Sequence, residues 1–267
     1  MEPTYSGSIP DGPQRVEGIT LWGAMNHIDL FSGIGGFSLA AKWVWGDEHK
    51  VCAFVERDEF CRKVLRKHWP NAPIFPDVTY FNGRGYNGQI DLLTGGFPCQ
   101  PYSFTGNRRG AKDDRALWPE MFRIIDEVRP RWVLAENVFG FVEMGLEETI
   151  LNLESIGYET GSFVIPAVSV EADHERNRIW IVAYSDAERR TEHNPSPVYG
   201  ESQWVISGAS CTIGERGLLK SGVDGAVYGL PGRMDRYRIK ALGNAIVPQV
   251  AANLFEFMKK VDEKFRA

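Results

Sequence analysis

What most limits the folds open to this chain is a regular alternation of short apolar strands with amphipathic helices, running from residue 27 to residue 183. Strands are expected at 27–31, 51–56, 90–94 and 132–136, with helices at 37–45, 59–68 and 119–128 between them. A helix over 146–155, closed by Gly157, then leads to strands at 160–165 and 179–183. Strands this apolar are buried on both faces, and strand-helix alternation supplies the crossovers that parallel strands need. The expected class is therefore α/β, a mostly parallel sheet with helices on both faces.

The chain has 267 residues and is 43% hydrophobic, enough for one large domain carrying a small second lobe. Residues 1–24 are rich in Gly, Pro, Ser and Thr without apolar periodicity and read as a disordered extension. Residues 25–184 carry the alternation and form the expected catalytic and ligand-binding domain. In 185–232 the texture changes to Gly, Ser, Pro and charge, a small irregular lobe. Residues 233–267 return to helical apolar spacing over 245–265 and are expected to pack back onto the main sheet. The four cysteines, Cys52, Cys61, Cys99 and Cys211, are far apart and make neither a disulfide framework nor a zinc site, so no metal is expected. No run is apolar for long enough to span a membrane, and the start lacks the pattern of a secretory signal, so a cytoplasmic protein is expected.

The net charge of −5 argues against nucleic acid as a partner, but two local basic groups argue for it. One is Arg108, Arg109, Lys112 and Arg115; the other is Arg233, Arg236, Arg238 and Lys240. Each alone is equally a solvated face.

Three constellations carry chemistry. The first strand runs into Phe31-Ser32-Gly33-Ile34-Gly35-Gly36-Phe37, a glycine turn opening a helix, where α/β sheets bind nucleotide-like ligands. The next strand ends at Glu56, a carboxylate that could accept both ribose hydroxyls, and Asp77-Val78 is a further rim position; together these favour an adenosyl ligand over a merely tight turn. Next, Gly95-Gly96-Phe97-Pro98-Cys99-Gln100 sets a thiol after an apolar strand between glycines and a proline, with Gln100, Ser103 and Thr105 beside it. A nucleophile reads better there than a buried structural cysteine. Finally, Glu136 ends another strand on the same sheet edge, where partial burial would make it an acid, and Arg176 and Arg178 share one side of a strand, suiting phosphate or a base carbonyl. His174 reads as a surface or capping histidine.

In this order the motifs resemble the C5-cytosine DNA methyltransferase family, in its compact phage and prophage form. Asp29-Leu-Phe-Ser-Gly-Ile-Gly-Gly36 is similar to its first motif, Gly95-Gly-Phe-Pro-Cys-Gln-Pro-Tyr-Ser103 to its nucleophile motif, and Glu136-Asn-Val138 to its glutamate motif. Arg176-Asn-Arg178 is similar to the paired-arginine motif, with His174-Glu175 where that motif usually has Gln. Arg238-Ile-Lys-Ala-Leu-Gly243-Asn244-Ala-Ile-Val-Pro-Gln249 is similar to the closing motif. The resemblance implies a Rossmann-like S-adenosylmethionine-dependent methyltransferase fold with a small target-recognition region, here short for the family. It implies S-adenosylmethionine as cofactor, with Phe31 stacking on the adenine, Glu56 holding the ribose, and Asp77 and Val78 lining the adenine pocket. Ser32, Gly33, Gly35, Gly36, Pro98 and Asn244 complete that site.

Cys99 is then implied as the nucleophile and Glu136 as the residue at cytosine N3, with Arg178 and Arg176 contacting the base and nearby phosphates. Gln100, Ser103 and Arg115 are implied on the DNA side, within a loop over 103–115 that closes on a flipped base. The implied partner is double-stranded DNA, bound by a monomer, with a cognate restriction endonuclease in the same system. RNA (tRNA) cytosine methylation on the same fold stays open, although that branch's Cys-Phe-Thr signature is absent, and so does a nucleic-acid-binding protein that has lost catalysis.

Overall fold

One seven-stranded sheet organises the computed structural model, which describes residues 24–98, 117–170, 172, 175–185 and 240–266. Its strands are β1 (Met25–Leu30), β2 (His49–Val55), β3 (Ile74–Phe75), β4 (Leu92–Gly96), β5 (Trp132–Val138), β6 (Glu159–Pro166) and β7 (Asn177–Tyr184), in the order β3-β2-β1-β4-β5-β7-β6. The pairings from β3 through β5 are all parallel, while β7 runs antiparallel to both its neighbours. Among the described residues the helices include α1 (Gly36–Trp45), α2 (Glu59–His68), α3 (Trp118–Val128), α4 (Leu146–Ser155) and α5 (Pro248–Arg266), with a further helical stretch at 240–244.

Strand parity divides the core. Ile28, Leu30, Leu93, Val133, Ala135, Ile179 and Ile181 face a cluster with Met121, Ile124, Ile125 and Val128 of α3 and Leu153 of α4. Leu92, Trp132, Leu134, Trp180 and Val182 face the opposite cluster, with Phe37, Ala40, Ala41 and Val44 of α1 and Val250, Leu254, Phe255 and Met258 of α5. Both faces are thus covered, as strands apolar on both sides require. On the α1/α5 face, parity also puts His27, Asp29, Thr94 and Glu136 in line, and all four are buried.

The chain winds outward from β1 to β3, then crosses back to β4 and β5 on the other side of β1. The reversal leaves a crevice between the carboxyl ends of β1 and β4, the place where such sheets take ligands. The glycine turn leaves β1 there, and Gly95 pairs with Leu30 across it.

The helices at 59–68 and 146–155 lie where the sequence places them, and the others shift by a few residues. Phe31 is not the last residue of β1: its φ of 51° turns the chain out of the sheet. β4 runs two residues beyond 94 because Gly95 and Gly96, which look like loop residues, pair in register with Ala135 and Glu136 on the buried strand β5. α5 starts at Pro248 rather than 245, with proline in the first turn. Strand β3 carries too few residues for any periodicity to show. All but the last residue of the expected 1–24 extension, and all but Ser185 of the expected 185–232 lobe, lie outside the described residues.

Candidate active site

The glycine turn is held from below and from the side. Gly35 has a φ of 88°, and a Cβ there would stand 2.6 Å from the Trp69 ring, so the position excludes any side chain on two independent grounds. Trp69 is fixed by an edge-on contact with Phe54 of β2. Glu56, just past β2, accepts from Gly33 N–H at 2.7 Å through one carboxylate oxygen and from Asp58 N–H at 2.7 Å through the other. Burial pushes its carboxyl above the usual range, while these two amides pull it back. Asp58 in turn caps α2, accepting from Phe60 and Cys61 N–H, and pairs with Lys240 Nζ at 3.1 Å. Lys240 is the one member of the second basic group among the described residues, and it faces this acid.

Beneath the turn lies a polar chain to which the sequence reading gave no role. Asp29, fully buried, accepts from Ser38 Oγ at 2.8 Å and from Thr94 Oγ1 at 3.3 Å. Thr94 Oγ1 lies 2.8 Å from His27 Nε2, and His27 Nδ1 lies 3.0 Å from His49 Nε2. Burial raises the Asp29 carboxyl to about 7, and burial likewise drives His49 down to about 4 and His27 well below its ordinary value. The only sequence signal was polar residues at inward-facing positions of β1.

Glu136 sits in β5, in register with Gly96, and its Oε1 lies 2.9 Å from Arg178 Nε on the adjoining β7. A Cβ on Gly96 would stand 3.3 Å from Glu136 Oε2, so the glycine lets the carboxyl lie close against the β4 backbone. Burial lifts the Glu136 carboxyl above its usual range, opposed by the charges of Arg178 and Arg176. The two arginines differ from the alternating pair that the sequence suggests. Arg176 precedes β7 with a φ of 36°, so strand parity does not apply to it. Its Nη2 donates to the carbonyls of Gly243 and Ala245, at 2.9 and 2.7 Å, on either side of the exposed Asn244. Ile246 follows and lies over both Gly36 and Gly96.

Asn137, beside Glu136, donates from Nδ2 to the Phe97 carbonyl at 3.3 Å and so anchors the chain immediately before Pro98. Phe97 is itself wedged between the rings of Trp118 and Phe141. Asp77 caps the short turn Val78–Tyr80, its Oδ1 accepting from Thr79 N–H and Oγ1–H; Val78 is buried beneath. The structure therefore brings Phe31, Ser32, the glycines, Glu56, Glu136, Arg176, Arg178 and the Asn244 segment to one sheet edge. Cys99, Gln100, Ser103, Arg115 and His174 lie outside the described residues. Among the described residues no three metal-ligating side chains gather, and no helix is long and apolar enough to cross a membrane.

A recessed carboxyl beside a guanidinium, at the same edge as a glycine turn with its own carboxylate, suits proton transfer to a flat polar substrate next to an adenosyl group. Comparison with known proteins bears on which one. A family model described as C-5 cytosine-specific DNA methylase matches residues 25–208. The chain is similar to the type II methyltransferase M.PspPI of Psychrobacter sp. (strain TA137), 34% identical over 64% of this chain and 43% of that protein. It is similar to the type II methyltransferase M.AluI of Cellulosimicrobium cellulans, 34% identical over 74% of this chain and 41% of that protein. The chain thus spans less than half the length of these curated relatives. Among solved structures, a putative DNA modification methyltransferase encoded within an Escherichia coli prophage superposes with a TM-score of 0.51, at 27% identity, over 61% of this chain and 47% of that one.

Proposed function

This chain belongs to the C-5 cytosine-specific DNA methylase family, and from that premise we propose that it is a DNA (cytosine-5-)-methyltransferase, moving a methyl group from S-adenosylmethionine to carbon 5 of a cytosine flipped out of duplex DNA. The observation that carries the reading is the buried Glu136 carboxyl, 2.9 Å from Arg178 Nε and beside Gly96, from which the chain runs directly to Pro98 and Cys99.

The residues around the glycine turn fit the cofactor. Nothing lies within 4 Å of the point a Cβ on Gly33 would occupy, which leaves room above a turn whose flank carries the Glu56 carboxylate. Phe31 stacks on the adenine, Glu56 takes the ribose hydroxyls, and Asp77 with Val78 lines the adenine edge. Ser32, Gly33, Gly35, Gly36, Pro98 and Asn244 complete the enclosure. When bound, the cofactor supplies an electrophilic methyl group on a sulfonium sulfur.

Carbon 5 of cytosine is too poor a nucleophile to take that methyl unaided. The Cys99 thiolate adds to carbon 6, forming a carbon–sulfur bond, while protonated Glu136 gives its proton to N3 and an enamine electron pair gathers at carbon 5. Once carbon 5 is methylated, its proton leaves to a base, the thiolate is expelled, and N3 returns its proton to Glu136. Burial keeps Glu136 readier to be protonated than a solvated glutamate, and the adjoining Arg178 stabilises the carboxylate left after transfer. Arg178 and Arg176 meet the base and its phosphates, and Gln100, Ser103 and Arg115 contribute from the loop after Cys99. The proposal includes a catalytic body over 25–184, a recognition region over 185–232 and a returning segment over 233–267. It further includes action as a cytoplasmic monomer on duplex DNA, with a restriction endonuclease as cognate partner.

The test is transfer of labelled methyl groups to duplex DNA, followed by capture, with S-adenosylmethionine present, on a 5-fluorocytosine duplex, where fluorine replaces the carbon-5 hydrogen and cannot leave as a proton does. A covalent protein–DNA adduct through residue 99 is the expected product. Folded protein that methylates neither DNA nor forms the adduct would overturn the reading.

A further inference from the structure

Arg123, part-buried on α3, turns all three of its guanidinium nitrogens to acceptors. Its Nε donates to Glu120 Oε2 at 2.9 Å, and Nη2 stands 2.8 Å from the same oxygen. Nη2 also donates to the Val78 carbonyl at 3.0 Å, and Nη1 donates to the Phe81 carbonyl at 3.1 Å and to Glu127 at 3.0 Å. Both carbonyls belong to the segment between β3 and β4, 42 and 45 residues away in sequence. Glu127 extends the hold, its Oε2 accepting from Gly83 N–H at 2.9 Å and its carbonyl from Asn87 Nδ2 at 2.8 Å.

That segment needs holding. Between Phe75 and Leu92 it forms only short 3-10 turns, so no sheet ladder fixes its path. Val78, Phe81 and Tyr86 tack it to the core, yet Tyr80 is 86% exposed and the Val78–Tyr80 turn carries Asp77 at its head. Arg123 pins both ends of this turn through backbone atoms, which sets where Asp77 and Val78 stand irrespective of their side chains. A guanidinium can do this because its donors form a rigid planar fork; an ammonium has three donors at one point and cannot serve two carbonyls and two carboxylates together.

We propose that Arg123 is a positioning residue for the adenine end of the cofactor site, acting through the Val78 and Phe81 carbonyls. The proposal rests on the reading that Asp77 and Val78 line that end. It follows that the arginine governs cofactor affinity without touching cofactor, DNA or the transferred group.

The experiment measures S-adenosylhomocysteine binding by calorimetry for the full chain, for Arg123→Met and for Arg123→Lys, with thermal melts of each. Both variants should bind on the order of tenfold more weakly, the scale of a lost charge-assisted hydrogen bond. The turnover rate at saturating S-adenosylmethionine and the KM for duplex DNA should stay within about twofold. If Arg123→Met does not fold, Arg123→Lys, which keeps the charge between Glu120 and Glu127, carries the test. A folded Lys variant with wild-type affinity, or one whose turnover falls while its affinity holds, overturns the proposal. Failure of the unmodified chain to bind S-adenosylhomocysteine overturns the cofactor reading itself, and this proposal with it.

Discussion

Glu136 and Arg178 meet diagonally across the antiparallel pair β5/β7, Oε1 2.9 Å from Nε, and both charges sit largely out of water. The contact joins β7, which among the described strands alone runs opposite to the rest of the sheet, to β5, the last of the parallel run. If the carboxyl is the proton donor, Glu136→Gln should slow methyl transfer by about two orders of magnitude or more. Its melting temperature should hardly change, because the amide oxygen still accepts from the guanidinium. Single-turnover rates with labelled cofactor check this; a near-normal rate removes the donor role.

Asp29 makes stability depend on pH. Its folded carboxyl is raised from the ordinary 3.8 to about 7, so its contribution is complete below the unfolded value and is lost as pH rises through 7. His49, depressed to about 4, works in the opposite sense: its contribution is present above 6.5 and is lost as pH falls through 4. The Asp29 loss therefore runs from about pH 4 to 7, opposed below 6.5 by His49 and by His27, whose imidazole burial also depresses. The melting temperature of the wild type relative to Asp29→Asn should fall from pH 4 to 7 and level off above it. Parallel curves would show that Asp29 is ionised throughout.

Asn137 predicts a division of effects. With Asn137→Ala the Phe97 carbonyl loses its donor, and the chain just ahead of Cys99 loses a fixed point. Turnover should drop by about tenfold while S-adenosylhomocysteine affinity is preserved, the pattern of a buried hydrogen bond that orients rather than binds. Equal losses in both would mean a general loosening of the sheet edge.

Gly35→Ala should be among the most damaging small substitutions. The added methyl would strike the Trp69 ring, and the φ of 88° disfavours any L side chain. A loss of about 2 kcal/mol or more is expected, together with weakened cofactor binding. Chemical denaturation measures the first and calorimetry the second; full stability with full binding would show that the turn adapts.

Much of the sheet was legible because buried parallel strands and amphipathic helices announce themselves by period, as at 59–68 and 146–155. Glu56, Glu136 and the glycines were legible as site candidates because polar or glycine residues at strand ends break that period, whereas Phe31 was a candidate only through the family resemblance. What could not be read is what strand neighbours supply. Gly95 and Gly96 become strand residues only because β5 lies alongside, and Arg176 leaves the expected face because its backbone turns left-handed toward carbonyls 67 and 69 residues further on. The Asp29–Thr94–His27–His49 chain joins three separate strands, and Arg123 reaches a loop that no local pattern connects to it.

The stretch between β7 and the returning segment is tied down at both its borders: Ser185 N–H donates to the Arg131 carbonyl, and Lys240 pairs with Asp58. Each border is held by the catalytic body itself, through contacts that do not involve residues 186–239. If that stretch carries the proposed recognition region, exchanging it should alter target choice while the chemistry is inherited intact.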